Sequence, residues 1–365
     1  MPPTEHDFVD VSGLLYPKSV AVIGASDRAG NLGGDTVQRL VRFGFPGPVW
    51  AVNPNATTVQ GVPCFPSVDE LPDAPDLVIM SIPANAVAET IRACAARGIR
   101  NGIVFAGGFA EAGGDGITLQ NEIAALCRNT GFTLCGPNCV GIINAATPAT
   151  SSFATALSEF DRLRAGPISM VTQSGGIGTA IFSMVQWVGF GFRHLISSGN
   201  EAVVRFPDYL YALARDEGTR IIAAYLEGVG NGPRLVRALE EARTQGKKVV
   251  MIKSGASSAS ARAARAHTGA LVGEDRVFDA ILQELGVIRV ASVEELVDVC
   301  LLLSGTPEAK LPRGPGVGVV TFGGGNGVLA ADPWAGPSAR ARTCSGRRAA
   351  WAAIATRATT KSPKT

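Results

Sequence analysis

The chain of 365 residues predicts an α/β fold of consecutive doubly wound, mainly parallel sheets. Short apolar runs alternate with longer amphipathic segments, the βαβ rhythm of a sheet covered on both faces. Hydrophobic residues make up 46% of the chain and charged residues only 18%, which suits buried parallel strands and excludes a disordered chain. Glycine-rich stretches stand where strand patterns hand over to helix patterns.

The first series places strands at 19–23, 49–52, 77–82, 102–105 and 132–135, with helices at 35–43, 86–97 and 117–129. One domain therefore spans 12–145. A Ser/Thr/Ala-rich piece, 145–164, reads as a linker. A second series follows, with strands at 168–172, 194–197, 221–226, 248–252 and 287–290 and helices at 178–187, 234–244, 276–285 and 293–303. This second domain spans 166–305. A Pro/Gly/Arg-rich linker at 311–316 leads to a further strand at 317–321, a Gly-rich turn and a helix start. A third domain thus begins at 313–332. From Pro333 onward the apolar period is lost, and a basic tail, 333–365, is expected to be disordered.

That tail holds seven Lys/Arg and no Asp or Glu, leaving 26 basic against 31 acidic residues elsewhere, a net of −5. Nucleic acid is therefore not expected as a partner. No apolar run reaches the ~18 residues that span a bilayer, and the polar start resembles no signal peptide. The expectation is a cytoplasmic protein without membrane contact. Seven cysteines form no CxxC pair and no Cys/His cluster, so reduced thiols are expected, with no metal site.

Three loops invite an anion. After the first strand comes Gly24-Ala25-Ser26-Asp27-Arg28-Ala29-Gly30-Asn31-Leu32-Gly33-Gly34. Strand, glycines and helix bring backbone N–H groups and a helix N-terminus to a phosphate. The spacing is not G-x-G-x-x-G, and the second strand ends in Asn53-Pro54 rather than an acidic residue. NAD therefore fits poorly, whereas another phosphate-bearing nucleotide fits; a turn without ligand is the alternative. The second loop, Gln173-Ser174-Gly175-Gly176, is either an anion site or simply a helix cap. The third, Gly323-Gly324-Gly325-Asn326-Gly327, repeats the device.

Of three histidines, His6 lies in the terminal stretch and His194 in a strand, where a structural role is expected. His267 lies in a small-residue segment with Arg262 and Arg265. That stretch lacks the large side chains of a core, and long coreless loops are commonly functional. An imidazole accepts a phosphoryl group when a carboxylate orients its other nitrogen. Glu227, at the end of a predicted strand, is the candidate; a solvated strand-end carboxylate is the bland alternative.

From about Leu14 to Asp332 the chain resembles the NDP-forming acyl-CoA synthetases, which include ADP-forming acetate–CoA ligases and the α subunit of succinyl-CoA synthetase. The motifs are Gly136-Pro137-Asn138-Cys139-Val140-Gly141, Gln173-Ser174-Gly175-Gly176, Ser198-Gly199-Asn200-Glu201-Ala202 and His267-Thr268-Gly269-Ala270-Leu271. The resemblance implies a Rossmann-like CoA-binding domain, then a flavodoxin-like, succinyl-CoA synthetase-like domain and the start of a second one. It implies that acid, CoA and ATP become acyl-CoA, ADP and phosphate through an acyl phosphate and a phosphohistidine. His267 aligns with the phosphorylated histidine and Glu227 with its supporting glutamate. Ser174, Gly175, Gly176, Gly324, Gly325 and Gly327 match phosphate-binding helix starts. Gly24, Ala25, Ser26, Gly30, Asn31, Gly33, Asn53, Pro54, Ile82, Pro83, Gly107, Gly108 and Asn138 would line the CoA site.

Asn55 stands where family members often carry a lysine. No ATP-grasp domain is legible, so ATP/ADP and magnesium are expected on a partner β-type ATP-grasp subunit, in a homo-oligomeric assembly. The substrates implied are CoA and a small carboxylic acid. A non-catalytic CoA-binding module is the alternative, and an NAD(P)-dependent dehydrogenase is disfavoured by Asn53-Pro54.

Overall fold

The computed structural model describes residues 8–255, 275–311, 317–321, 325–326, 328 and 352–356. Two units divide the chain, 1–305 and 306–365.

The first unit opens with α1 (Ser12–Leu15), β1 (Val20–Ile23), α2 (Leu32–Arg42), β2 (Val49–Val52), β3 (Thr58–Val59), β4 (Val62–Phe65), β5 (Leu77–Met80), α3 (Ala84–Ala96), β6 (Asn101–Val104), α4 (Asp115–Thr130) and β7 (Thr133–Cys135). Its seven strands lie in the order β3-β4-β2-β1-β5-β6-β7, parallel except where β3 meets β4. The chain leaves β1 toward β2 and β4, then returns to β5 on the other side of β1. That reversal is a topological switch point, where open α/β sheets leave a crevice beyond the strand ends. All four residues of β1 are buried. Val20 and Val22 join one hydrophobic cluster and Ala21 and Ile23 another, so the strand stabilises both faces. Each large aliphatic side chain buried this way contributes roughly 1.5–3 kcal/mol.

The second sheet is built from β8 (Gly141–Asn144), β9 (Ala149–Ser152), β10 (Ala165–Thr172), β11 (Phe192–Ser197), β12 (Ile221–Leu226), β13 (Lys248–Lys253) and β14 (Ile288–Arg289). Its helices are α5 (Gly175–Trp187), α6 (Phe206–Arg215), α7 (Gly232–Thr244), α8 (Asp275–Glu284) and α9 (Val293–Gly305). The order is β14-β13-β12-β10-β11-β8-β9. From β14 to β11 all pairs are parallel, the flavodoxin-like arrangement, with the switch point at β10 between β11 and β12. One hydrophobic cluster runs from Val22 and Ile79 of the first sheet to Ile196, Ile222 and Met251 of the second.

The domain boundary expected at 145 falls within the β8–β9 hairpin, whose strands join the second sheet through β11. Ile142 and Ile143 are buried there. The apolar pair needs a partner strand, and β11 offers one in register with Ile196 and Leu195. The stretch 145–164 is likewise not an irregular linker throughout, since it holds β9 and a short 3₁₀ turn, Thr155–Glu159.

In the second unit β15 (Val317–Thr321) pairs antiparallel with β16 (Ala352–Thr356). The expectation of a disordered tail therefore does not hold at 352–356, where Ala-Ala-Ile-Ala-Thr forms a short apolar run. The remainder of 333–365 lies outside the described residues. No helix among the described residues is long and apolar enough to cross a membrane. Cys64, Cys94, Cys127, Cys135, Cys139 and Cys300 are free thiols and buried.

His194, on β11, is buried and takes the structural place expected of it. Its Nδ1 lies 3.2 Å from Ser169 Oγ, which meets Thr219 Oγ1 at 2.7 Å. Thr219 donates to Asp216, which also pairs with Arg193 and accepts from the Tyr16 hydroxyl.

Candidate functional site

The C-terminal ends of the parallel strands gather most of the expected residues. After β1 the chain turns at Gly24, where φ is +84° and a Cβ would stand 2.3 Å from the Ser81 carbonyl oxygen. Only glycine fits this position. The backbone then approaches α2 so closely that a Cβ on Gly33 would meet Ala25 Cα at 2.9 Å.

Asn31 holds the turn together. Its Oδ1 accepts from Ser26 N at 3.0 Å and from Gly34 N at 2.7 Å, and its Nδ2 donates to the Gly24 carbonyl at 3.1 Å. It is the N-cap of α2. Asn53 Nδ2 donates to the Ala25 carbonyl at 2.8 Å, while its Oδ1 accepts from Asn55 N. The side chains of Asn31 and Asn53 are thus committed to shaping the loop, and what the loop offers a ligand is backbone N–H and the start of α2. Pro54 and Pro83 are exposed and Ile82 half-buried on neighbouring loops. Gly30, with φ +78°, faces open space.

Gly107 and Gly108 follow β6 and are exposed. Glu111 folds back on this turn, and its Oε1 accepts from Gly108 N at 2.6 Å and Phe109 N at 3.2 Å. Burial alone would raise the Glu111 carboxyl, but hydrogen bonds from Asn200 and from these N–H groups outweigh it and hold the group low.

Asn138 follows β7 and reaches the second sheet. Its Nδ2 donates to Asn200 Oδ1 at 3.3 Å, and Asn200 donates in turn to Glu111 and, at 3.0 Å, to Gln120. Asn200 N donates to the Pro137 carbonyl at 2.9 Å. The carboxyl ends of the two sheets therefore meet, loop against loop.

On the second sheet Ser174 is the N-cap of α5 without a side-chain capping bond. Its N–H turns back to Thr172 Oγ1 at 3.0 Å. Gly175 is half-buried against Val140, which a Cβ would strike at 2.7 Å, and Gly176 faces open space. The first N–H groups of a helix have no partner within it and carry its positive dipole end.

Glu227 follows β12, beside α5 across the switch point, and is buried at 8% exposure. Lys253, at the end of β13, donates from Nζ to the Glu227 carbonyl at 2.9 Å. Burial lowers the Lys253 ammonium, against the attraction of Asp275 and Glu227.

His267 lies outside the described residues, as do Gly324 and Gly327. The chain leaves for 256–274 from the end of β13, next to Glu227, and re-enters at α8. Gly325 is exposed in the second unit. Among the described residues no three His, Cys, Asp or Glu converge as a metal site.

Three residues given no individual site role from the sequence complete the edge. Gln173 bridges the turn after β12 to Glu201, and Ser198 donates to the same carboxylate oxygen at 2.8 Å. The motifs quoted for the resemblance contain all three, but only strand order shows what they touch.

A CoA-binding domain model matches residues 18–145, and a succinyl-CoA ligase-like flavodoxin domain model matches residues 165–303. An ADP-forming acetate–CoA ligase I of Archaeoglobus fulgidus is 37% identical over 319 residues, covering 87% of this chain and 45% of that protein. The α subunit of ADP-forming acetate–CoA ligase I of Pyrococcus furiosus is 31% identical over 328 residues, covering 89% of this chain and 69% of that subunit.

A solved structure of a Ca. Korarchaeum cryptofilum acetyl-coenzyme A synthetase 1, in complex with phosphate and ADP, superposes with a TM-score of 0.81. That match has 29% identity and covers 89% of this chain and 68% of the other. The chain spans about half the length of several curated relatives it matches. Two domain models in this order, together with the relationship to the Pyrococcus α subunit, show that the chain belongs to the NDP-forming acyl-CoA synthetase family, beside the ADP-forming acetate–CoA ligases.

Proposed function

We propose that the chain is the CoA-binding and phosphoryl-carrying part of an acid–thiol ligase that converts acid, CoA and ATP to acyl-CoA, ADP and phosphate. The observation that carries this is the meeting of the carboxyl edges of the two sheets at Asn138 and Asn200. One suits a phosphate-bearing thiol carrier and the other a phosphoryl group. The glycine turn fits CoA because Gly24 and Gly33 let the chain pack tightly from β1 into α2, which sets the loop's backbone N–H groups and the helix start at the strand end. When bound, CoA supplies the thiol that accepts or releases the acyl group.

The chain's own residues hold and orient. Ser174 caps the start of α5, and Gly175 and Gly176 direct backbone N–H groups to a transferring phosphoryl group, stabilising its oxygens. His267 accepts that group from an acyl phosphate, releasing the carboxylate, and Glu227 orients the imidazole and stabilises its charge. Gly324, Gly325 and Gly327 are proposed as a further phosphate-binding helix start. The ATP-grasp function, with ATP/ADP and magnesium, falls to a β-type subunit; the Pyrococcus relative is itself named as an α subunit.

The test uses the purified chain with acetyl-CoA and radiolabelled phosphate. Acid-labile, base-stable label on the protein, lost in His267→Ala and reduced in Glu227→Gln, is the expected result. CoA binding without any label would instead favour a non-catalytic CoA module.

A further inference from the structure

Gln173 directly follows the last residue of β10. Its backbone N–H donates to the Tyr225 carbonyl at 3.2 Å, one last rung between β10 and β12. Beyond that rung the chain turns away at Glu227 and Gly228, and the Gln173 side chain takes the place of a neighbouring strand. Oε1 accepts from Glu227 N at 2.7 Å and from Gly228 N at 3.0 Å. Nε2 donates to the Gly228 carbonyl at 3.1 Å and to Glu201 Oε1 at 2.9 Å. A primary amide has two N–H donors and an oxygen with two lone pairs, and all four capacities are used.

The direction of this amide matters. Turned over, it would set its NH₂ against two N–H groups and its oxygen against a carbonyl. The Gly228 carbonyl accepts only, so it fixes the NH₂ end, whose other N–H goes to Glu201 Oε1, and leaves the oxygen for the turn. Glu201 is itself held at φ +58°, with Ser198 Oγ donating to the same oxygen.

We propose that Gln173 and Glu201 are a pair of positioning residues that clamp the 227–228 turn and so aim the Glu227 carboxylate. This rests on the role proposed above for Glu227. Neither residue touches the reacting atoms; each acts through the turn.

Two readouts test the pair. In Gln173→Ala, hydrogen exchange at the Glu227 and Gly228 amides should rise at least about tenfold, the equivalent of one hydrogen bond lost. Phosphoryl labelling from acetyl-CoA and phosphate should slow about 10- to 100-fold at saturation, with half-saturation for acetyl-CoA within about twofold, the mark of misplaced chemistry rather than lost binding. Glu201→Leu should behave alike, and Glu201→Gln, which keeps an acceptor oxygen for Nε2, should restore most of the rate.

Unchanged exchange in Gln173→Ala, or equal rates in Glu201→Leu and Glu201→Gln, would overturn the proposal. If the unaltered protein takes no label, the phosphohistidine reading fails and the aiming role falls with it. The exchange result then separately shows whether the clamp exists.

Discussion

His194 offers a worked prediction of acid sensitivity. Burial pushes its imidazole from 6.5 down to about 4, with Asp216 raising it and Arg193 lowering it. Ser169 meets its Nδ1, and the Tyr16 ring packs edge-on at 5.3 Å. Burial outweighs the attraction of Asp216, and Nε2 is buried with no hydrogen-bond partner among the described residues to hold a second proton. The unfolded chain therefore binds the proton more tightly than the folded one. Stability is fully present above the unfolded value near 6.5 and is lost as pH falls toward 4. Integrating the two titrations from pH 7 to pH 4.5 gives a loss of about 2 kcal/mol from this residue alone.

Other carboxylates titrate in the same range, so the measurement is a difference. Urea unfolding of the unaltered protein and of His194→Phe, at both pH values, isolates the histidine. The variant should lose about 2 kcal/mol less between pH 7 and pH 4.5. Equal losses in the two proteins, or an NMR titration of His194 with a midpoint near 6.5, would refute the reasoning.

Gly24→Ala should weaken CoA binding at least about tenfold in calorimetry and destabilise the chain by about 1–3 kcal/mol, since a positive φ and the Ser81 carbonyl both oppose a Cβ. Gly30→Ala is the control, because its Cβ meets nothing within 4 Å and only the backbone cost of about 1 kcal/mol remains. Asp208→Ala should cost about 3–5 kcal/mol in urea unfolding, because Arg234, Val9 N and Arg205 N all lose a carboxylate that is only 1% exposed. Asn200→Ala removes donors to Glu111 and Gln120 and should cost about 1–3 kcal/mol. In that variant the Glu111 carboxyl should titrate at higher pH by NMR, because its Asn200 donor is gone.

Much of the fold is legible because parallel strands are apolar throughout and helices are periodic. β2 and β12 fall at 49–52 and 221–226, the ranges read from the sequence. α6 is not among the helices expected from the sequence, although Pro207 stands in the first turn, where proline is favoured, and Phe206, Tyr209, Leu210 and Leu213 form a buried stripe. The β8–β9 hairpin is hidden for a different reason. Its Thr150, Ser151 and Ser152 are polar yet buried, so no alternation marks the strand. Single residues after strand ends can be proposed as site residues from sequence. Partners such as Gln173 and Glu201 cannot, because which loops meet depends on strand order.

The carboxyl edges of the two sheets are also joined through the chain itself. Segment 136–140 connects β7, the last strand of the first sheet, to β8, which belongs to the second. Asn138 thus sits in the very loop that carries the chain between sheets. Two residues on, Val140 N donates to Ser197 Oγ at 3.3 Å, and the Val140 side chain packs where a Cβ on Gly175 would stand. A shift of the α5 N-terminus therefore presses on Val140, and a shift of Asn138 pulls on it. In the function proposed above, this loop ties thiol and phosphoryl sites at a fixed separation. The consequence is directional: Gly175→Ala should disturb both CoA affinity and labelling, whereas Gly176→Ala, with open space around its Cβ, should leave CoA affinity unchanged.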